Sequence, residues 1–466
     1  MSFEITKDGN SINKLIPLSD IANIVGGYAF KGADFGNHGI PVVKIANIEP
    51  PVVNLQSCEK IPVEKLSGLD RFRLTKGDIL MAMTGATVGK IGRIRDDGPA
   101  YLNQRVAKIS SKCGSEYEDF IFALLSQKGF EERILNNSSG SAQANVSADG
   151  IGRVLIPALE LRSQIQIGRI IASLDDKIDL NRRINQTLEA IAQAIFKSWF
   201  VDFDPVKARI AAIEQGEDPL RAAMRAISGK TDAELDQMPH EHYDQLAATA
   251  ALFPDEMEDS ELGEIPKGWR FCQIAKFGEV VCGKTPAKSN PDYFGSGIPF
   301  IKIPDMHKNV YVTQPSEQLT VHGIASQPKK TIPPGSICVS CIATVGKVVL
   351  THEPSQTNQQ INSIIPRRPE HSFYLYFQML EKQQEFLDLA SGGSATLNMN
   401  TSTFSKVETL LPNDRVVTRF SEFVAPVFSQ ILANQKQADS LAALRDTLLP
   451  KLLSGELTSP KEGQEP

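Results

Sequence analysis

The chain has 466 residues, a net charge of −6 at neutral pH and six cysteines. No apolar run approaches the roughly 20 residues that a membrane helix needs, and the sequence after Met1 has neither the basic nor the apolar region of a signal peptide. Sparse cysteines in a long chain indicate reduced thiols rather than a disulfide framework. We therefore expect a cytoplasmic protein of roughly two to four domains, each with its own core.

Short β-rich runs dominate the first third of the chain. Residues 41–45, 79–83, 88–94 and 106–109 are rich in Val and Ile and are separated by Gly, Pro and Asn, which is typical of strands joined by turns. Residues 117–125 have the pattern of a helix. Three loops are long and polar enough to form binding surfaces: residues 26–39, 85–90 and 138–149.

These elements return in the second half of the chain. Residues 40–45 (IPVVKI) recur 258 positions later as 298–303 (IPFIKI), and residues 86–90 (ATVGK) recur after 257 positions as 343–347. Further matches keep the same order: Asn103-Gln104 with Asn358-Gln359, Gly140-Ser141-Ala142 with Gly393-Ser394-Ala395, and Pro157 with Pro412. A repeat of this length is a domain with its connector, so the chain is predicted to be a fused tandem dimer.

The second copy has the same predicted composition of strands and helix. Residues 299–303, 337–341 and 345–350 are predicted strands, and residues 373–389 are a predicted helix. We therefore assign each copy to the α+β class with a mainly β core. Two similar but non-identical copies indicate one kind of task performed on two different targets.

Three short motifs have a structural interpretation that outweighs a chemical one. Residues 85–90 (GATVGK) have one residue too few for a phosphate loop and lack its final Ser or Thr, so we predict a turn. Residues 290–293 (NPDY) resemble the Asn-Pro-Pro-Tyr motif of adenine methyltransferases, but the third residue differs and a turn explains them better. Cys338 and Cys341 form a CxxC motif without a second pair, and a strand would point their sulfurs to opposite faces.

Two segments have a long helical periodicity, and one ends each copy. Apolar residues recur every three or four positions from about residue 162 to 200 and again after Val416. The seam in the first segment consists of Ile171, Leu174, Ile178, Leu188, Ile191, Ile195 and Trp199, with Asn181 and Asn185 among them. The seam in the second consists of Val424, Val427, Ile431, Leu441, Leu444, Leu448 and Leu452, with Asn434 among them.

The shared seam favours pairing of the two helices over packing of each helix on its own domain only. Asn434 lies 253 residues after Asn181, so a polar residue recurs at a matching seam position. Such a residue fixes the register of paired helices at some loss of stability. We therefore predict that the two long helices pair with each other.

Negative charge is concentrated between the copies. Residues 214–264 contain fourteen Asp or Glu and three Lys or Arg, a balance of −11 that leaves the rest of the chain at +5. This composition predicts a solvated, acidic linker with one or two short helices, and it favours a spacer over an acidic binding tail.

Three longer stretches resemble one known family. They are residues 174–205 (LDDKIDLNRRINQTLEAIAQAIFKSWFVDFDP), 260–269 (SELGEIPKGW) and 448–457 (LLPKLLSGEL). The chain is similar, over nearly its whole length, to the specificity subunits of type I restriction-modification enzymes. The resemblance implies two target recognition domains separated by two long helices that pair as an antiparallel coiled coil, in a pseudo-two-fold internal repeat. Each domain would read one half of an asymmetric, bipartite site in double-stranded DNA.

The same resemblance implies partners and cofactors. The helices would set the length of the unread spacer and dock the modification subunits, in two copies, which methylate adenine with S-adenosylmethionine. Separate restriction or motor subunits would use ATP and magnesium. This chain would bind no cofactor or metal itself and would be non-catalytic alone.

The resemblance divides the chain into six predicted segments: residues 1–158, the first target recognition domain; 159–202, the central helix; 203–268, the acidic linker with short helices; 269–412, the second target recognition domain; 413–455, the C-terminal helix; and 456–466, a polar tail.

Two sets of residues are predicted to be functional. The DNA-binding candidates are polar residues in or beside the repeated motifs: Lys44, Lys90, Asn103, Gln104, Arg105, Gln143, Lys302, Lys347, Asn358, Gln359 and Gln360. The candidates for helix pairing and subunit docking are the seam residues Ile171, Leu174, Ile178, Asn181, Leu188, Ile195, Trp199, Val427, Ile431, Asn434, Leu441 and Leu448.

Two other functions remain as alternatives. The chain is a self-contained adenine methyltransferase if Asn290 and Tyr293 act on a flipped base. It is an assembly scaffold without DNA specificity if the helices only gather partners.

Overall fold

The computed structural model describes residues 14–136, 145–307, 309–391 and 397–457. These residues divide into two compact units: unit 1, the described residues within 1–179 and 440–466, and unit 2, the described residues within 180–439. Each unit contains a β-rich domain and parts of both long helices.

Unit 1 contains twelve strands and three short helices among its described residues. In chain order they are β1 (Leu15–Pro17), β2 (Ala22–Gly26), β3 (Ile40–Val43), β4 (Ile48–Glu49), β5 (Val52–Val53), β6 (Lys60–Ile61), β7 (Arg73–Leu74), β8 (Ile79–Ala82), β9 (Ile91–Arg93), β10 (Ala100–Leu102), β11 (Val106–Ser111), α1 (Glu118–Leu125), α2 (Phe130–Asn136), α3 (Ala148–Gly152) and β12 (Leu155–Pro157). The long helix α4 (Leu161–Phe200) follows.

The strands of unit 1 form a six-stranded sheet (β2-β11-β8-β9-β5-β4), a four-stranded sheet (β6-β3-β10-β7) and the pair β1-β12. Strand β8 is buried on both faces, because Ile79 and Met81 belong to one apolar cluster and Leu80 and Ala82 to another. Alternation of side chains along a strand explains why its sequence is continuously apolar.

Unit 2 contains the remaining elements, except that the last helix continues into unit 1 from residue 440. They are α5 (Asp204–Gln215), α6 (Pro219–Ser228), α7 (Asp232–Asp236), α8 (His240–Ala250), β13 (Met257–Ser260), β14 (Gly263–Pro266), β15 (Arg270–Gln273), α9 (Ile274–Phe277), β16 (Gly278–Cys282), β17 (Phe294–Ile301), β18 (Gln318–Leu319), α10 (Val321–Ala325), β19 (Ile337–Ser340), β20 (Val348–Leu350), β21 (Gln356–Thr357), β22 (Ile361–Pro366), α11 (Ser372–Glu381), α12 (Gln383–Ala390), α13 (Thr401–Lys406), β23 (Glu408–Leu411) and α14 (Asp414–Leu453).

The central strand β19 repeats the arrangement of β8 within its own four-stranded sheet, β16-β22-β19-β20. Ile337 and Val339 pack in one apolar cluster and Cys338 in another. Cys341 lies in the cluster of Ile337. The two CxxC sulfurs therefore lie on opposite sides of the sheet, as the strand interpretation predicts.

The predicted helix at residues 373–389 is two helices, α11 and α12. Lys382 lies between them with φ −88° and ψ 11°, outside the helical conformation. The apolar periodicity continues across this break because both helices pack on the same core, through residues such as Phe377 and Phe386.

Residues 203–268, predicted to be a solvated acidic linker with one or two short helices, contain four helices that are packed together rather than solvated. Helices α5 to α8 fold on a core of their own that includes Met224, Leu235 and Leu246, and strands β13 and β14 form a hairpin. Acidic residues are balanced locally, since Arg221 bonds both Asp232 and Asp236. Net charge alone did not reveal this pairing with a few well-placed arginines.

The long helices α4 and α14, each of 40 residues, contact each other in both units. In unit 2 the Asn181 side-chain amide donates to the Asn434 carbonyl at 3.3 Å, and the Asn185 amide donates to the Ile431 carbonyl at 2.9 Å. In unit 1 the Arg445 guanidinium donates to the Asp175 carboxylate at 2.7 Å. In unit 2, the contact moves from Asn434 back to Ile431 as the residue number on α4 rises from 181 to 185, so these segments run antiparallel.

Most seam residues are at least half-buried, with two exceptions. Ile191 and Leu444 are 48% and 45% exposed, so their assignment to the seam is wrong. Buried instead on the first helix are Ala192 and Phe196, one and five positions further on. A stripe of period 3.5 and one of period 3.6 diverge over several turns, which explains the error.

One described helix, α14, is long and apolar enough by composition to cross a membrane. Its apolar residues Phe420, Val424 and Phe428 are buried in the core of unit 2, and Leu449 and Leu452 are buried in that of unit 1. Core packing therefore accounts for its composition.

Candidate nucleic-acid interface

A turn of the same construction follows a strand of the smaller sheet in each unit. In unit 1 it joins β10 to β11 through residues 103–105, and in unit 2 it joins β21 to β22 through residues 358–360. The Asn103 N–H donates to the Val43 carbonyl at 3.2 Å, and the Asn358 N–H donates to the Ile301 carbonyl at 3.1 Å. We call these two segments the Asn turns.

A glycine lies against each Asn turn. A β-carbon on Gly27 would lie 2.2 Å from the Asn103 carbonyl oxygen, and one on Gly283 would lie 2.1 Å from the Asn358 carbonyl oxygen. Contacts that short do not occur, so only glycine allows this approach. The turn and its neighbouring strand are held together in the same way in both units.

The asparagines themselves form the turns. Asn103 and Asn358 are 9% and 8% exposed, and the Asn358 side chain exchanges hydrogen bonds with Gln360, at 3.0 Å to its side chain and 3.1 Å from its backbone. Buried amides are satisfied in this manner. Of the DNA-binding candidates in the turns, Gln104, Arg105 and Gln359 are the ones that the structure exposes.

Two further residues, which sequence reasoning missed, lie beside the Asn turns. Tyr28 follows Gly27 and is 40% exposed. Its backbone carbonyl accepts a hydrogen bond from the Gln104 N–H at 2.9 Å. Lys284 occupies the corresponding position after Gly283, and its N–H donates to the Thr357 carbonyl at 2.9 Å. Each follows a glycine, and Tyr28 also lies in the loop of residues 26–39 that the sequence indicates as a binding surface; these are the signals that could have identified them.

The surroundings of the two turns differ in chemistry. Tyr28 lies 5.6 Å from the Phe72 ring, and the Arg71 guanidinium lies 5.3 Å from that same ring. The Thr285 hydroxyl donates to the Gln359 side chain at 2.6 Å. Unit 1 therefore presents aromatic and guanidinium groups where unit 2 presents amides, a hydroxyl and an ammonium group.

Two predicted DNA-binding lysines have ion-pair partners in the structure. Lys44 lies 2.7 Å from Glu59 and 3.7 Å from the centre of the Phe35 ring. Lys302 lies 3.0 Å from Glu317. Because each lysine pairs with a glutamate fifteen positions further on, part of the repeat reflects a structural contact.

Lys90 and Lys347 close matching hairpins. The Ala82 N–H donates to the Lys90 carbonyl, and the Ser340 N–H donates to the Lys347 carbonyl, both at 2.9 Å. The preceding Gly89 and Gly346 have φ of 84° and 85°, a conformation that favours glycine. The repeated ATVGK motif is therefore a turn, as predicted, and both lysine side chains are half-buried.

The remaining motifs agree with their structural interpretations. The Asn290 side chain accepts a hydrogen bond from the Asp292 N–H at 3.1 Å and caps the 3₁₀ turn Pro291–Tyr293 that leads into β17. Gln143 lies outside the described residues. Within the described ranges, no three or more His, Cys, Asp or Glu side chains come together as metal ligands.

Comparison with known proteins gives one consistent family. The family described as "Type I restriction modification DNA specificity domain" matches residues 12–190 and 266–440. The chain is 42% identical over 416 residues to the type I restriction enzyme HindI specificity subunit of Haemophilus influenzae, covering 86% of this chain and 91% of the relative. It is 23% identical over 470 residues to the EcoBI specificity subunit of Escherichia coli, covering 97% and 87%.

A solved structure supports the fold. The type I restriction-modification S subunit from M. genitalium aligns with a TM-score of 0.51 at 13% identity, covering 96% of this chain and 98% of that one. At this identity the likeness concerns the fold alone.

Proposed function

Because the chain belongs to the type I restriction-modification DNA specificity family, and is the DNA specificity subunit of such a system, we propose that its Asn turns read the two halves of a bipartite site in double-stranded DNA. The observation that carries this proposal is the pair of turns with one backbone construction, an exposed glutamine in each and different side chains around it. A shared scaffold with different side chains suits one task on two targets.

The exposed groups suit base reading in the major groove. Arg105 presents a guanidinium that matches the two acceptors of guanine, whereas Gln104 and Gln359 present amides that match adenine. Each good bidentate contact contributes about 1–3 kcal/mol of discrimination. Two such readers in one chain add specificity because the second engagement is intramolecular.

The long helices are proposed to pair as an antiparallel coiled coil that sets the spacer and docks the modification subunits. The polar contacts of Asn181 and Asn434 support a defined register. Leu180, Ile184 and Ile191 are 45%, 37% and 48% exposed on α4. Their spacing places them on one face of the helix, where a partner helix would bury them.

The chemistry is proposed to belong to partner subunits. Modification subunits, in two copies, would bind S-adenosylmethionine, and restriction or motor subunits would use ATP and magnesium. The chain itself would bind no cofactor or metal and would act in the cytoplasm.

Sequencing the methylome of cells that carry the complete system tests the bipartite site. We expect one methylated motif with two specified halves and an unread spacer. Replacement of residues 1–158 by the equivalent part of another specificity subunit should change one half only. A simultaneous change of both halves would exclude two independent readers.

A heptad insertion tests the spacer function of the helices. Seven residues added to each long helix keep the apolar seam in phase and lengthen each by about 10 Å, or about three base pairs at 3.4 Å each. The spacer in the methylated motif should lengthen while both specified halves stay the same. An active variant with an unchanged spacer would contradict the proposal.

The two alternative functions are separated by simple assays. The purified chain mixed with DNA and labelled S-adenosylmethionine should transfer no methyl group until modification subunit is added, whereas transfer by the lone chain would favour a self-contained methyltransferase. Equal competition by all duplexes in a binding assay would favour a scaffold without DNA specificity.

A further inference from the structure

Two valines are the most exposed large apolar residues in the described ranges, and they occupy the same position in both copies. Val63 is 63% exposed and Val321 is 77% exposed, and they lie 258 residues apart, the offset that relates 40–45 to 298–303. A single exposed apolar residue is ordinary on a protein surface. Its recurrence at one position of two domains is not explained by chance exposure.

The local structure around the two valines corresponds residue by residue. In unit 1, β6 pairs antiparallel with β3 through Ile40 and Ile61. In unit 2, β18 pairs with β17 through Ile298 and Leu319, each 258 positions later. A 3₁₀ helix begins at Val63 and a short α-helix begins at Val321, two residues after each strand. The same fold therefore places both valines.

The sequence around the valines has otherwise changed. Residues 61–68 read IPVEKLSG and residues 319–326 read LTVHGIAS, and the valine is the only identity among the eight positions. Folding of this segment does not demand the valine, because its side chain is mainly in water in both units. A contact outside the chain that both copies share would account for its presence.

The charge of the two chain segments that carry the valines favours a protein over DNA. Residues 59–66 carry two acids and two lysines, and residues 317–324 carry one acid and no Lys or Arg. Lys65 is paired with Asp34. A phosphate-binding surface needs an excess of Lys and Arg, whereas a neutral surface with an exposed aliphatic group suits an apolar protein patch.

We propose that Val63 and Val321 are equivalent anchor points for two copies of one protein partner, the modification subunit, each through an apolar patch of that subunit. This inference rests on the proposed function, which supplies a partner common to both reading domains. The readers differ because the half-sites differ, while the anchors are alike because the partner is the same.

Counting bound partner copies tests the inference. The full chain, the variants Val63→Asp and Val321→Asp and the double variant are mixed with purified modification subunit, and native mass spectrometry gives the stoichiometry. Leu262→Asp is the matched control, because Leu262 is 60% exposed in the β13–β14 hairpin. No repeated residue in the first copy corresponds to Leu262.

We expect two bound copies for the wild-type chain and the control, one for each single variant and none for the double variant. Each substitution should weaken the affected site by about tenfold or more, as loss of an interface anchor does. Unchanged thermal unfolding would show that the variants fold. The two-copy complex of the wild-type chain tests the proposed function separately.

Two results would overturn the inference. One is two-copy binding by both single variants and by the double variant at the wild-type affinity. The other is normal stoichiometry with an altered methylated motif, in which Val63→Asp changes one half-site and Val321→Asp the other. That second result would assign the valines to DNA.

Discussion

The two units use different chemistry where α4 and α14 meet a domain helix. In unit 2 the contact is aromatic: Phe196 lies 5.3 Å from Phe377, which lies 5.8 Å from Phe428, with Ala192 beside them. The long helices of the two copies are offset by 253 positions, and α11 is offset from α1 by 254 positions. In unit 1, Arg445 and Leu449 therefore correspond to Ala192 and Phe196. Ala123 corresponds to Phe377, and Asp175 corresponds to Phe428.

Unit 1 thus has an ion pair and smaller side chains where unit 2 has a cluster of aromatic rings. The Asp175 and Arg445 side chains are 9% and 26% exposed, and a cleft of about 70 Å³ lies beside them. Apolar burial stabilises directly. A largely buried ion pair contributes little net stability but is costly to break, so the same position should respond differently to substitution in the two units.

The largest effect is expected from Phe196→Ala in unit 2. Removing a fully buried ring should lower the free energy of unfolding by about 3–5 kcal/mol. The two tryptophans of the chain, Trp199 and Trp269, are both in the core of unit 2, so urea unfolding followed by their fluorescence reports on this unit. Ile191→Ala, at a 48% exposed site of the same helix, should cost less than about 1 kcal/mol. Equal losses would contradict the packing described.

The next effect is expected from Arg445→Ala in unit 1. It leaves the Asp175 carboxylate buried without its partner, and because the pair is partly exposed we expect a loss of about 2–3 kcal/mol. Hydrogen exchange of residues 161–179 measures it. The double variant Asp175→Phe/Arg445→Ala copies the residues of unit 2 and should recover most of the loss. No recovery would show that the ion pair itself, rather than avoidance of an unpaired charge, stabilises unit 1.

A smaller and local effect is expected from alanine at the glycines of the Asn turns. Gly27→Ala should displace the turn of unit 1 and relax recognition of one half-site, at a cost of about 1–3 kcal/mol in specific binding. Gly283→Ala should do the same for the other half. Methylome sequencing with each variant checks this, and Gly26→Ala is a control because a β-carbon there meets no atom within 4 Å. Loss of both half-sites with either variant would argue against independent readers.

The smallest effect concerns pH. His371 precedes α11 as Tyr117 precedes α1. Burial lowers the pKa of His371, and the nearby Asp414 only partly opposes this shift. The unfolded chain takes up a proton near pH 6.5 and the folded chain only at lower pH. Unit 2 should therefore lose stability as the pH falls below about 6.5, by at most about 1.4 kcal/mol per pH unit.

His371→Tyr, which copies unit 1, should flatten that pH dependence in tryptophan fluorescence measurements. A residual slope should remain, because burial also lowers the pKa of His352, which Glu353 partly offsets. An unchanged slope in the variant would show that His371 does not titrate differently in the folded and unfolded states.

Local pattern determined the elements of this fold because each depends on neighbours in the sequence. The run at residues 79–83 predicted β8, and the helical periodicity predicted α4 and α14. The exposed part of the Asn turns was also predictable, since Gln104 and Gln359 belong to a repeated motif. Turn chemistry and apolar spacing act over a few residues, and one sequence contains them completely.

Only the tertiary structure decided those features that depend on contacts between residues far apart in the sequence. Asp175 meets Arg445 across 270 positions, and Lys44 meets Glu59 instead of standing free. The acidic segment folds because a few apolar residues form a core and arginines neutralise its acids, which composition alone does not reveal. The long internal repeat revealed two similar domains. Which polar residues are buried in turns and which face water was decided only by the packing of the strands.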